Sequence, residues 1–164
     1  MEIFKPAQFE KYTKKIRDYL LNHNETVAVA ESVTSGLVQL IISSIPDGAK
    51  FYQGGITAYN LGQKYRHLLV EPIHAQSCDC VSEQVAVQMA QNVCSLFSSD
   101  WGVAITGYAT PVPESKKKVF AWFAISHKGK IVAKKCINSK VKEPFLVQVY
   151  FTKALLKELT LAIV

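Results

Sequence analysis

Thr26-Val27-Ala28-Val29-Ala30-Glu31-Ser32-Val33-Thr34-Ser35-Gly36-Leu37 is the stretch on which the fold of this chain turns. Residues 26–30 are a short run of β-branched and small side chains, the composition of a strand buried on both faces. The spacing after them predicts a helix over 34–45, with Thr34 as N-cap and Leu37, Leu40, Ile41 and Ile45 on its buried side. Ser32 therefore falls where a strand hands over to a helix. In an α/β sheet this is the carboxyl end of a strand, where ligands bind. Backbone N–H groups of Ser35, Gly36 and Leu37 pointing there would favour an anion or a developing oxyanion. The same serine also reads as an ordinary helix cap, so nucleophile and cap both stand on the residues alone.

Working outward, Phe9, Tyr12, Ile16 and Leu20 recur at helical spacing and predict a helix over 7–23, broken at Asn22-His23-Asn24. Pro46-Asp47-Gly48 reads as a turn. Gly54-Gly55 opens a strand over 56–59, and a short helix is expected over 61–69, with Gln63, Lys64 and Arg66 alternating with Tyr65, Leu68 and Leu69. Ser82 is a candidate N-cap for a helix reaching about residue 98, with Glu83 in its first turn. Trp101 to Thr106 reads as a buried strand leading into a loop over Gly107–Lys118. The runs 119–126 and 131–137 flank Lys128-Gly129-Lys130 as a hairpin. A helix over 143–160, with Pro144 in its first turn, ends the chain. This order predicts one domain over 1–164, a three-layer α/β/α sandwich with a mixed, mainly parallel sheet.

The chain has 164 residues, 49% of them hydrophobic and 20% charged, with a mean hydropathy of +0.10. That is enough to bury a core without staples. No apolar run approaches the roughly 18 residues of a membrane span. The N-terminus lacks the apolar stretch of a secretory signal, so a cytoplasmic protein is expected, with no membrane partner. Cys78, Cys80, Cys94 and Cys136 show no metal-ligand spacing with one another or with the four histidines, so neither metal nor cofactor is expected. The net charge of +6 comes from scattered lysines and arginines rather than a stripe with interleaved aromatics. Nucleic-acid binding is disfavoured on that ground, and a phosphorylated small ligand suits the charge better. A homodimer is expected from base rate alone.

Two further residues bear on chemistry. Lys64 reads either as solvent-facing or as an inward general base for Ser32, which requires burial or nearby positive charge to lower its pKa. Tyr59, at a strand end, either orients the lysine or a ligand, or is a core tyrosine. The run Ala30-Glu31-Ser32 with Thr34 and Gly36, then Gly54-Gly55 with Tyr59-Asn60 and Lys64, then Val81-Ser82-Glu83, then Ala104-Ile105-Thr106-Gly107, resembles in that order the C-terminal domain of the CinA family. The resemblance spans about residues 8–160. It implies hydrolysis of the carboxamide of nicotinamide mononucleotide, without a metal, by Ser32 as nucleophile and Lys64 as base. It also implies Tyr59, Thr106, Gly36 and Gly107 as substrate-binding residues, and a small nucleotide-like substrate as partner. Glu31 and Thr34 match with structural roles.

The chain departs from the family pattern where a ligand should be held. Val33 and Ser35 stand in place of a cysteine and a second glycine. The loop after Gly107, Tyr108-Ala109-Thr110-Pro111-Val112-Pro113-Glu114, lacks the family's further glycines. Residues 138–150 hold no arginine to grip a phosphate in two-pronged fashion, leaving Lys140 or Lys142 as point-charge substitutes. These departures are compatible with an amidase acting on a related amide, or with a nucleotide-binding or partner-binding member that has lost turnover.

Overall fold

A computed structural model, which describes residues 6–163, sets the strand of the opening stretch inside a five-stranded sheet. This strand, β1 (Val27–Glu31), is buried along its whole length. Its two-residue alternation sorts large side chains from small. Val27 and Val29 join one core with Trp101, Val103 and Ile105 of β3 (Trp101–Gly107), whereas Ala28 and Ala30 join the other with Ala104. The small face lets a helix come close: α5 (Glu83–Phe97) packs across it, and a Cβ on Gly102 would lie 2.0 Å from the Ala90 carbonyl oxygen.

The strand order is β2-β1-β3-β4-β5, with β2 at Tyr52–Thr57, β4 at Phe120–His127 and β5 at Lys130–Asn138. β1 pairs parallel with β2 and β3, while β4 is antiparallel to both β3 and β5. Four strands thus run one way and β4 runs against them, which is the mixed, mainly parallel sheet expected. The valine face carries α1 (Glu10–His23), α2 (Leu37–Ser43) and α6 (Pro144–Ala162). The alanine face carries α3 (Leu61–Leu68), α4 (Pro72–Ser77) and α5. From β1 the chain goes through α2 to β2 on one side, then through α3, α4 and α5 to β3 on the other. The direction of winding therefore switches between β1 and β3, and the crevice beyond their carboxyl ends is the switch point of the sheet. No helix among the described residues is long and apolar enough to cross a membrane.

Several local expectations are corrected. The helix predicted over 34–45 spans only Leu37–Ser43, and it buries Val38, Ile41 and Ile42 while Leu40 is exposed. In the turn before β2 it is Asp47, with φ of 65°, that takes the left-handed conformation. The second strand begins at Tyr52 and ends at Thr57, because its register is set by pairing with β1. In α3 the buried positions are Lys64 and Leu68, four apart on one face, and Tyr65 and Leu69 are exposed. Helix α4 was not foreseen; Pro72 at its start and the Glu71 carboxylate accepting from the Ile73 and His74 N–H groups define it. The predicted first helix opens as a 3-10 turn over Pro6–Phe9.

At the opposite, amino end of β1 a buried carboxylate ties three elements together. Glu25 accepts from the Trp101 indole N–H at 2.7 Å, lies 3.1 Å from His127 Nε2, and pairs with Lys128 Nζ at 2.8 Å. Burial alone would raise its pKa, but the bonds from Lys128, Trp101 and His127 outweigh that and hold it at about 2. A depressed carboxyl stabilises the fold above its ordinary value of 4.5 and loses that contribution as pH falls toward 2. Urea unfolding from pH 7 down to pH 3 should show a fall in stability below about pH 5 that is flattened in Glu25→Gln. Gly102→Ala should cost about 3 kcal/mol in the same assay, the upper range of overpacking, because the backbone of α5 blocks the added carbon.

Candidate active site

Ser32 leaves β1 with its N–H donating to the Ile105 carbonyl of β3 at 3.0 Å, so the residue sits directly over the switch point. The turn that follows is organised by its neighbour. Glu31 is fully buried, and its carboxylate accepts from the N–H groups of Val38 at 3.0 Å and Gln39 at 2.8 Å and from the Thr34 hydroxyl. Glu31, not Thr34, is therefore what caps α2. This also corrects the part of the anion cradle expected from Ser35 and Leu37. The N–H groups of Ser35 and Leu37 close turns onto the carbonyls of Ser32 and Thr34, and the positive end of the helix is already met by a carboxylate. Gly36, with φ of 98°, makes the left-handed step into α2 and lies outside the wall of the cleft described below.

Lys64 points inward. It is 1% exposed, and its Nζ donates to Ser32 Oγ at 2.9 Å, to the Ala58 carbonyl at 2.9 Å and to the Tyr59 carbonyl at 3.2 Å. Two of the three polar directions of this nitrogen are thus consumed by backbone oxygens, which can only accept. The third is aimed at the serine hydroxyl. With the amine neutral, its lone pair would occupy that third direction and accept the Ser32 proton. Burial lowers the pKa of Lys64, opposed by the nearby Cys80 thiol and Asp79 carboxylate. Cys80 is itself pushed upward by burial, leaving Asp79 as the group that offsets the desolvation near neutral pH.

The pair opens onto a cleft of about 620 Å³ beyond the carboxyl ends of β1 and β3. Tyr59 lines it, but its side chain is 71% exposed at the rim, which removes the reading as a core tyrosine. Thr106 lines it too, although its hydroxyl is committed to the Cys80 carbonyl at 2.8 Å and so braces the loop before α5. Gly107 belongs to the wall because β4 passes so close that a Cβ would lie 2.4 Å from the Phe120 carbonyl oxygen. The loop after it forms one side of the cleft without further glycines, placing Lys116 and Lys117 in the left-handed region instead. Lys140 and Lys142 do not line the cleft.

Sequence reasoning missed Asp79, Glu114 and Gln148, all of which line the cleft. Gln148 also donates to the Val33 carbonyl at 3.0 Å, tying α6 to the Ser32 turn. Asp79 had a visible signal, since it lies between the paired cysteines weighed as a metal motif. Among the described residues no cluster of three or more histidines, cysteines or acids could hold a metal ion, and the four cysteines are free thiols.

A three-layer α/β/α domain with a buried serine–lysine contact at its switch point is the class that this geometry defines. The family model described as the CinA C-terminal domain matches residues 9–161, and the chain belongs to that family. A CinA-like protein of Picosynechococcus sp. is 41% identical over 103 residues, covering 63% of this chain and 25% of that protein. A CinA-like protein of Synechocystis sp. is 38% identical over 99 residues, 60% of this chain and 24% of its own length. The aligned part thus spans about a quarter of these curated relatives. Among solved structures, the competence-damaged protein (CinA) superfamily protein from Enterobacter cloacae superposes with a TM-score of 0.88 at 26% identity, covering 93% of this chain and 90% of that one. The competence or damage-inducible protein from Enterobacter asburiae gives 0.87 at 25%, covering 93% and 96%.

Glu31→Gln should cost about 2 kcal/mol in urea unfolding, the scale of hydrogen bonds to a charged group, because an amide N–H₂ would face one of the helix donors. Ser35→Ala, which leaves the cap intact, should stay within about 0.5 kcal/mol.

Proposed function

We propose that the chain is an amidohydrolase that cleaves a small carboxamide through Ser32 and Lys64. The observation that carries this reading is the 2.9 Å contact between Ser32 Oγ and the Nζ of a lysine that is almost wholly buried. A buried ammonium is costly unless it is paired or neutralised, and a lysine whose pKa is lowered beside a hydroxyl is a general base suited to activating it. The resemblance of the motifs adds the reaction type and offers nicotinamide mononucleotide as a first substrate to try.

In the first half-reaction Ser32 Oγ attacks the amide carbon while its proton passes to the neutral Lys64 Nζ. The tetrahedral adduct then collapses, the C–N bond breaks, and Nζ returns a proton to the leaving nitrogen, which departs as ammonia. In the second, water gives its proton to Nζ and adds to the acyl ester. Collapse releases the carboxylic acid while Nζ returns the proton to Ser32 Oγ, restoring both the serine and the neutral amine. The carbonyls of Ala58 and Tyr59 hold Nζ in place through both steps, and Tyr59 and Gln148 stand at the cleft to orient the substrate.

Ammonia release from nicotinamide mononucleotide and from related carboxamides tests this. Ser32→Ala and Lys64→Met should each lower kcat by at least about 1000-fold, and equal rates in wild type and Ser32→Ala would remove the proposal. The kcat of the wild type should rise with pH along a limb whose midpoint lies below the ordinary lysine value of 10.5. Asp79→Asn should move that limb lower still, because a carboxylate that favours the ammonium has been removed.

A further inference from the structure

Building on the proposed amidase reading, we infer that the cleft takes a carboxamide that is carried on a cationic group and has no phosphate. The charges around the pocket point this way. Among the described residues that line it, the acids are Asp79 and Glu114, and Lys64 is the one lysine or arginine. Lys64 is at the floor, engaged by Ser32 and by two carbonyls, so it has no bond left to offer an anion at the mouth. Asp79 and Glu114 are exposed at the rim, one before α5 and the other in the loop after β3.

The helix ends around the crevice give an anion no better footing. Four helices begin near this crevice, and each has its amino end met by the chain's own side chains. Glu31 accepts from Val38 and Gln39 in α2, and Glu143 accepts from the Phe145 and Leu146 N–H groups in α6. In α3 the Asn60 side chain accepts from the Gln63 N–H, and in α5 the Ser82 hydroxyl accepts from the Val85 N–H. Two of the four caps are carboxylates, which repel a phosphate at the place where helices otherwise bind one. Lys116, Lys117 and Lys118 belong to the loop that walls the cleft, yet none of the three lines it.

The acidic rim is also built rather than incidental. Cys80 has φ of 61°, a backbone conformation that costs free energy for most side chains other than glycine, asparagine and aspartate, and Asp79 beside it has φ of 50°. Two bonds hold that turn in place. The Thr106 hydroxyl donates to the Cys80 carbonyl, and the Tyr108 hydroxyl donates to Asp79 Oδ2 at 2.9 Å. Asp79 is thereby fixed against the cleft wall, where it attracts a cation and excludes a dianion.

The test compares ammonia release from nicotinamide riboside, nicotinamide mononucleotide, 1-methylnicotinamide and nicotinamide at low ionic strength. The first two differ only by the phosphate, and the last two by a positive charge. The kcat/KM for the riboside should exceed that for the mononucleotide by at least about tenfold, and 1-methylnicotinamide should exceed nicotinamide. Both preferences should shrink by roughly fivefold in the Asp79→Asn, Glu114→Gln double variant and in about 0.5 M salt. Both positions are exposed, and asparagine tolerates the left-handed backbone at 79. A preference for the mononucleotide, or a ratio unmoved by the double variant, overturns the inference. If no amide is hydrolysed, calorimetric titration of the same four compounds separates the two claims. Tighter binding of the riboside, weakened in the double variant, would sustain the charge selectivity while the hydrolase reading falls, and an absence of that preference would defeat the selectivity as well.

Discussion

A carboxylate buried at the end of a strand holds this site together. Glu31 finishes β1 and is removed from water, so its charge must be met by hydrogen bonds. It finds them in the first turn of α2 and in the Thr34 hydroxyl. That grip forces the chain between strand and helix into a tight turn, with the left-handed steps at Ser35 and Gly36, and leaves Ser32 at its apex. With the strand pinned by β2 and β3 and the helix pinned by Glu31, the serine has little freedom to move. The position of the hydroxyl is a consequence of helix capping, and the chemistry comes second.

The lysine is a different case, because its burial is unfavourable by itself. An ammonium loses hydration when it enters the space between α3 and the sheet, and two backbone carbonyls and one hydroxyl replace only part of what water supplied. Proteins keep such groups chiefly where they serve a purpose. Here the same desolvation that makes Lys64 costly also lowers its proton affinity, with Asp79 working against it. Stability and reactivity are set by one environment acting in opposite directions.

The architecture was legible because it rests on short-range patterns. The β-branched and small run before Glu31, helical spacing in α1, the Ser82 cap, Pro144 in the first turn of α6 and the Lys128-Gly129 hairpin turn are all local. The errors occurred where a distant partner decides. Thr34 looks like a cap in sequence, but a carboxylate three residues earlier reaches the helix donors instead. Tyr65 and Leu69 look like the buried face of α3, yet that face turns toward Ser32 and takes Lys64 inside.

What the sequence determined by itself was the order of elements, the two-sided burial of β1 and β3, and a serine at the mouth of a helix. Those follow from side-chain periodicity and turn chemistry within a dozen residues. Only the tertiary structure decided that Lys64 meets Ser32 across 32 positions of chain. It also brought Asp79 and Glu114 to the rim of one cleft. Such contacts depend on which strands are neighbours, and strand neighbours are chosen by the packing of the whole sheet rather than by any local run of residues.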